Sequence, residues 1–184
     1  FFVFGLWSLN GLIAIVIANL YAFLMFKEFF VRKWIRPKLV LYAVTHTFVV
    51  ALLSIASFSA INSKWLWQQD VNIYTFAIVS WLLFNIYEFG RKTFVAYEES
   101  PNADSYSKKY GRIGAVLLVI LNCLIAYLLA PNLIILLLFT IVIAVGILLV
   151  LFNKNPFGKL FRIAANTFVL GFYLASMMID YFIL

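Results

Sequence analysis

The chain of 184 residues is short of charge, above all of negative charge. Only 7 residues are acidic, against 14 Lys and Arg, and charged residues make up 11% of the chain while hydrophobic residues make up 66%. A soluble domain is about 25% charged and about 45–50% apolar, so these residues cannot cover a water-facing surface. The mean hydropathy of +1.04 agrees. The composition predicts an integral membrane protein.

Cysteine and histidine each occur once, as Cys123 and His46. A lone cysteine excludes an intrachain disulfide and a cysteine-rich zinc site. No basic soluble segment is present to carry a nucleic-acid site, so we expect no nucleic-acid partner. Attraction of the basic residues to anionic lipid headgroups fits the net charge of +7.

Six apolar runs have about the length that a membrane-spanning helix needs. The regular alternation of lipid-facing and lumen-facing residues that a membrane barrel requires is not seen. We therefore predict an all-α integral membrane protein whose residues 1–184 form a single transmembrane helical domain. The predicted spans run roughly from Phe1 to Phe26, Leu39 to Ile61, Ile73 to Gly90, Ile113 to Ala130, Leu133 to Phe152 and Leu160 to Leu184.

The basic residues fall on alternate connections, which supports the number of spans. Cytoplasmic connections tend to carry the excess of Lys and Arg. All but one of the 14 basic residues lie in or beside the first, third and fifth connections; the exception, Lys64, shares the second connection with Asp70. This pattern predicts that both termini lie outside and that the connection from Glu88 to Arg112, here called the hairpin, lies on the cytoplasmic side.

The hairpin holds four of the seven acidic residues, and its first part continues a polar stripe of the third span. At 100° per residue, Asn85, Glu88 and Lys92 share one side of a helix, with Arg91 beside them. Two interpretations fit this stripe. Glu88 pairs with Arg91 or Lys92 at the helix end, or the stripe forms part of a ligand site, because intramembrane ionisable residues often mark function.

The rest of the hairpin adds a family pattern. Glu98-Glu99 follows the span, and Asp104-Ser105-Tyr106-Ser107 and Gly111 come after a short turn. Together with Glu88-x-x-Arg91-Lys92, this segment resembles the second Asp-rich motif of the UbiA superfamily of intramembrane prenyltransferases, in a branch where glutamates replace the usual aspartates. The segment from Tyr21 to Lys27 resembles the Tyr and Lys that close the fourth helix of that family.

The resemblance implies a nine-helix fold of which this chain would be helices four to nine, or about the C-terminal two thirds of a larger domain. The first Asp-rich motif would then lie upstream of Phe1. In such enzymes acidic motifs hold Mg²⁺ ions that bind an isoprenyl diphosphate. The implied metal residues are Glu88, Glu98, Glu99 and Asp104, and the implied diphosphate residues are Lys27, Arg91 and Lys92.

Four further polar residues are candidates for the acceptor side or the cavity wall: His46, Asn85, Arg162 and Asn166. His46 has two interpretations, a core histidine bonded to a neighbouring helix or a proton-transfer residue. Arg162 and Asn166 lie one turn apart on the last span, so they share one face.

Two functions are therefore expected. The first is a prenyltransferase that moves an isoprenyl group from a polyprenyl diphosphate to a lipophilic acceptor. The second is a non-catalytic UbiA-like protein that serves as a subunit of a larger membrane complex, with its hairpin held by internal ion pairs. In both cases we expect membrane lipid as a partner and the bacterial inner membrane as the location.

Overall fold

The computed structural model describes residues 8–100 and 104–183, with the backbone alone for 178–183. Every regular element in these ranges is helical. The helices are α1 (Leu9–Phe26), α2 (Arg32–Ile35), α3 (Leu39–Thr47), α4 (Val49–Asn62), α5 (Val71–Arg91), α6 (Tyr106–Leu129), α7 (Leu133–Phe152) and α8 (Asn155–Ile183), with 3₁₀ turns at Glu28–Phe30 and Ala96–Glu98.

Six segments are long and apolar enough to cross a membrane, with α3 and α4 counted as one segment, Leu39–Asn62. The predicted all-α membrane fold with six spans is confirmed. The fifth span has the predicted bounds, and the first seven residues of the first span lie outside the described residues. α6 begins at Tyr106, because the Ser105 hydroxyl accepts a hydrogen bond from Lys108 N at 3.1 Å and caps the helix there, and it is interrupted at Gly111, two residues before the predicted start at Ile113.

The chain forms two compact units, Phe1–Trp81 and Leu82–Leu184, and the division falls inside α5. Each unit has its own buried residues, and large apolar side chains such as Leu9, Leu128 and Leu170 remain exposed on the helices. In a membrane such side chains contact lipid, so their exposure carries no penalty.

In the first unit, α1 packs closely against α4. A Cβ added to Gly11 would lie 2.6 Å from the Cα of Ala60, so only glycine fits at this crossing. Ala14 and Ala18 of α1 and Ala56 of α4 are also buried. Small residues let membrane helices approach until their backbones touch, and here they set the distance between α1 and α4.

The second span of the first unit is broken at Phe48, between α3 and α4. The last carbonyls of a helix have no partner within it. Two side chains meet this need: Tyr21 Oη donates to Thr45 O at 2.7 Å, and Trp81 Nε1 donates to Val44 O at 3.0 Å. The sequence predicted one continuous helix because both halves are apolar.

In the second unit, α7 packs against both α6 and α8. A Cβ on Gly146 of α7 would lie 2.8 Å from Val116 Cγ1 of α6, and a Cβ on Gly90 of α5 would lie 2.8 Å from Ala165 Cβ of α8. The second contact brings the end of α5 against α8. The hairpin is therefore anchored beside the first half of α8, where Arg162 lies.

Candidate functional site

The hairpin is a folded connection held at both ends. Tyr106 N, at the start of α6, donates to Lys92 O at 3.2 Å, just beyond the end of α5. One step further in, Phe94 N donates to Ser107 Oγ at 2.8 Å. The buried ring of Tyr106 packs edge-on against Phe89 at 4.9 Å. These contacts position the acidic residues that lie between the two helices.

Glu88 is bound by both cations that follow it on α5. Its carboxylate lies 2.6 Å from Arg91 Nη2 and 2.7 Å from Lys92 Nζ, and its side chain is 17% exposed. These contacts are the pairing that the first interpretation of the stripe predicts, and a ligand role of the stripe stays a prediction. Asn85, one turn earlier, is buried and also has a polar or electrostatic partner.

Glu98 binds Arg162 of α8 with both carboxylate oxygens. Arg162 Nη1 lies 2.8 Å from Glu98 Oε2, and Nη2 lies 2.9 Å from Oε1. Arg162 Nη1 also donates to Thr93 O at 3.1 Å, and its guanidinium lies 5.1 Å from the centre of the Phe94 ring. The hydrogen bonds from Arg162 hold the pKa of Glu98 below its ordinary value.

Glu99 has hydroxyl partners instead of cations. Its carboxylate accepts hydrogen bonds from Ser105 Oγ at 2.6 Å and Ser107 Oγ at 2.5 Å. Both serines are buried at the start of α6. Glu99 therefore fastens the middle of the hairpin to the beginning of that helix.

These partners leave the predicted metal residues apart. In residues 8–100 and 104–183, no three His, Cys, Asp or Glu side chains are grouped so that they could hold a metal ion. Glu88, Glu98 and Glu99 each have their own partners, and Asp104 is exposed. Mg²⁺ prefers several oxygen ligands in near-octahedral geometry, which the arrangement described does not offer. A magnesium site stays a prediction from the resemblance.

A cavity of about 290 Å³ opens beside the hairpin. Two basic residues of α6, Lys108 and Arg112, contribute to its wall together with Glu99, Ser107 and Gly111. Arg112 Nη1 is buried and has no hydrogen-bond partner among the described residues. Neither Lys108 nor Arg112 was predicted as a site residue from the sequence. The feature that could have indicated them is their spacing of four residues after Ser105.

The candidates on α8 have separate environments. Arg162 is taken up by Glu98, whereas the Oδ1 atom of Asn166 is buried with no hydrogen-bond partner in the described part of the chain. Neither residue is among those that line the cavity beside the hairpin. The predicted extension of a shared polar wall by these two residues is therefore not found at this cavity.

Lys27 and His46 belong to the first unit and are described there alone. Lys27 is exposed, and its ammonium lies 5.4 Å from the centre of the Phe26 ring. His46 Nδ1 is hydrogen-bonded to Tyr42 O at 2.7 Å, and its ring stacks on Tyr42 at 3.9 Å. The hydrogen bond expected with a neighbouring helix is instead made within α3, because a ring at this position reaches back to the carbonyl one turn earlier.

No protein-family model matches the chain, and neither a curated protein nor a solved structure matches it.

Proposed function

We propose that the protein is a UbiA-like intramembrane prenyltransferase, which moves an isoprenyl group from a polyprenyl diphosphate to a lipophilic acceptor. It would act in the bacterial inner membrane with the hairpin on the cytoplasmic side. The protein has six helices able to span a membrane, so lipophilic substrates would reach it from the lipid. The distribution of basic residues supports the proposed orientation.

The observation that best supports this proposal is that the residues of the family-like motif fold into one connection. Lys92 contacts Tyr106 through the backbone, and Glu99 contacts Ser105 and Ser107, so both halves of the motif meet. A cavity with two basic residues in its wall lies beside them. Basic side chains beside a cavity are what a negatively charged substrate end would require.

The chemistry assigned to this chain is electrostatic. When a diphosphate leaves an isoprenyl group, negative charge builds on its oxygens, and cations placed beforehand stabilise that charge in a region of low dielectric. Arg91 and Lys92 are held at the hairpin by Glu88, and Arg112 and Lys108 stand at the cavity. These four cations are the groups of the second unit that would bind the leaving diphosphate.

A second candidate function has its own support. Each of the three hairpin glutamates is occupied by partners within the protein, and Glu98 binds Arg162 across 64 residues of sequence. A connection held in this way suits a non-catalytic UbiA-like protein that serves as a subunit of a membrane complex, where the hairpin needs a fixed shape and no metal.

Binding of farnesyl diphosphate to the full chain in detergent micelles separates the two functions, with farnesol as the matched ligand that lacks phosphates. A prenyltransferase binds farnesyl diphosphate at least about tenfold more tightly than farnesol, as expected when charge-assisted hydrogen bonds hold the phosphates. It also releases pyrophosphate when a membrane-lipid fraction is added as acceptor. Binding without release favours the subunit, and equal binding of both ligands contradicts the proposal.

The metal part is tested separately with a double variant, Glu98→Gln with Glu99→Gln, measured with and without excess Mg²⁺. A loss of magnesium-dependent binding assigns these carboxylates to the site, and unchanged binding removes them from it. Asp70→Asn, which changes an exposed carboxylate in the first unit, is the matched control. The unfolding temperature of each variant shows that the fold is intact.

A further inference from the structure

The connection between α1 and α3 presents large aromatic side chains and cations on the same exposed stretch. Phe30 and Trp34 are 71% and 57% exposed. Residues 28–38, here called the interfacial segment, contain one carboxylate, Glu28, and four cations, all of them exposed. The cations are Arg32, Lys33, Arg36 and Lys38. Because the segment joins two helices able to cross a membrane, it lies at a membrane edge.

The interfacial segment begins with a strained turn. φ is 50° at Glu28, 53° at Phe29 and 58° at Phe30. This left-handed backbone is unfavourable for any residue with a Cβ, above all for a bulky one. Strained positions persist only where the surrounding structure holds them, and they are concentrated at functional places. A phenylalanine at the third position, where asparagine or glycine would be less strained, therefore needs a reason.

The turn sends its two phenylalanine rings to different environments. Phe29 packs edge-on against Tyr21 at 5.5 Å and against His46 at 5.9 Å, within the first unit. Ile35 of α2 is also buried. These contacts fasten the segment to the helices of the first unit, whereas Phe30 and Trp34 stay outside the packing. Packing within the protein thus explains Phe29 and leaves the exposed rings unexplained.

The cations surround the exposed rings and are only partly neutralised. Glu28 lies 3.3 Å from Nε of both Arg32 and Arg36, whose side chains remain 64% and 57% exposed. Lys38 Nζ lies 3.2 Å from the centre of the Trp34 ring. One carboxylate cannot neutralise four cations, so the surface around the rings keeps a positive charge. Such a surface attracts anionic lipid headgroups.

The connection after α4 offers a contrast within the same unit. It also carries an exposed ring, Trp67, which stacks on Trp65 at 5.1 Å. Its single cation, Lys64, is paired with Asp70 at 3.2 Å. Aromatic rings alone anchor a helix end at either membrane surface. The excess of cations beside the rings is what makes the interfacial segment selective for negative charge.

We propose that the interfacial segment is a docking surface for anionic phospholipids. Phe30 and Trp34 insert at the boundary between headgroups and acyl chains, and Lys33 and Lys38 bind the headgroup phosphates. The strained turn serves to place Phe30 on the lipid side while Phe29 holds the segment to the protein. The surface involves no residue of the hairpin, and the proposal does not depend on prenyl transfer.

Trp34 is a natural reporter of this contact. The full chain is reconstituted in phosphatidylcholine vesicles with a fixed minor fraction of phosphatidylglycerol. Equal amounts of bromine, a contact quencher of tryptophan fluorescence, are placed near the headgroup end of the acyl chains of one lipid or the other. The difference between wild type and Trp34→Phe isolates the Trp34 signal. We expect quenching about twofold stronger or more with brominated phosphatidylglycerol, because the cations concentrate the anionic lipid.

The double variant Lys33→Gln with Lys38→Gln tests the charges. It should bring the two quenching values close together, since each cation near an anionic surface contributes roughly fivefold to binding. Lys154→Gln with Lys159→Gln removes the same charge from two exposed positions of the second unit and should leave the preference unchanged. Equal quenching by both lipids in the wild type overturns the proposal, as does an equal loss of preference in the two double variants.

Lys33→Arg with Lys38→Arg keeps the charges and should keep the lipid preference, so it shows whether a loss in the glutamine variant comes from charge or from altered folding. A lost preference in this arginine variant would contradict the proposal. None of these variants enters the comparison of farnesyl diphosphate with farnesol, so the two proposals can fail separately.

Phe30→Asn separates lipid insertion from folding. Asparagine adopts a left-handed backbone more readily than phenylalanine, so the unfolding temperature in detergent micelles should not fall. Loss of the ring should nevertheless weaken the quenching of Trp34 by both lipids, because the segment then lies less deeply in the membrane. Unchanged quenching in Phe30→Asn overturns the proposal.

Discussion

Three glutamates of the hairpin meet three different kinds of partner. Glu88 has two cations from its own helix, Glu98 has an arginine from α8, and Glu99 has two hydroxyls at the start of α6. The distances are similar, but the consequences differ. Of these three, only the pair of Glu98 and Arg162 joins segments that are far apart in sequence, so its loss should loosen the hairpin from α8.

The pair of Arg162 and Glu98 should therefore contribute measurably to stability. Arg162→Gln removes a two-point contact whose side chains are 20% and 18% exposed, and we expect a loss of about 1–3 kcal/mol in the free energy of unfolding. Lys64→Gln, which breaks the exposed pair with Asp70, is the matched control, with an expected loss of below about 1 kcal/mol. Unfolding in detergent micelles measures both; equal losses would contradict the structural role of Arg162.

The lowered pKa of Glu98 makes the same contact dependent on pH. Because this carboxyl has a lower pKa in the folded protein than in the unfolded chain, the unfolded chain binds more protons as the pH falls, and stability is lost. The contribution is fully present above the ordinary pKa of 4.5 and disappears as the pH falls through the lower pKa of the folded state.

We therefore expect the unfolding temperature of the wild type to fall between neutral pH and pH values below 4.5 more steeply than that of Glu98→Gln, which has no carboxyl to titrate at this position. Unfolding curves recorded at a series of pH values in one detergent measure the difference. Parallel curves for the two proteins would show that Glu98 is not bound to Arg162 in the folded state.

At the scale of the elements, two spans are interrupted, and the interruptions have different causes. At Phe48, side chains from α1 and α5 supply donors to the last carbonyls of α3. At Gly111 the backbone itself turns, with a φ of 71°. Interrupted membrane helices are tolerated where other groups satisfy the backbone or where a cavity is present, and both conditions are met here.

The interruption at Gly111 predicts a sensitive position. An alanine there has open space around its Cβ but cannot easily adopt this φ and ψ, which are essentially restricted to glycine, so we expect Gly111→Ala to cost about 1–3 kcal/mol. Ile113→Ala, at an exposed position two residues on, is the control and should cost less than about 1 kcal/mol. A wild-type unfolding temperature for Gly111→Ala would indicate that α6 is continuous.

At the scale of the whole molecule, the connections differ in charge. The connection after α4 contains one ion pair, Lys64 with Asp70, whereas the hairpin holds five Lys and Arg residues beside its four acidic residues. α5 joins these two connections and, with 21 residues, is long enough to cross a membrane. The two connections should therefore face opposite sides.

This orientation can be measured with single cysteines in a Cys123→Ala background. Cys123 is fully buried and is the one native thiol, so its replacement removes background labelling and leaves the exposed surface unchanged. In intact bacterial cells that express the protein, we expect an impermeant maleimide added outside to label Lys64→Cys and not Asp104→Cys. In inverted membrane vesicles we expect the opposite result. Labelling of both cysteines from one side would contradict the proposed topology.

The membrane setting, the helical class and the approximate spans could all be predicted from the sequence. Apolar runs can be read directly from the sequence. A run such as Leu133–Phe152, which has no charged residue, forms a helix in lipid because a helix satisfies its own backbone hydrogen bonds. The pairing of Glu88 with Lys92 was also predictable, because residues four apart on a helix always lie close together. The short helical segment that precedes Gly111 in α6 was missed because its basic residues resemble a connection.

The tertiary structure alone decided which distant groups meet. Nothing in the local sequence of Glu98 indicates Arg162, which lies 64 residues away and reaches the hairpin only because Gly90 lets α5 approach α8 closely. The same holds for the buried, unpartnered nitrogen of Arg112, since a charge is visible in the sequence but a missing partner is not. Hydropathy along the chain determined which segments can cross the membrane, and packing between helices determined which charged side chains meet.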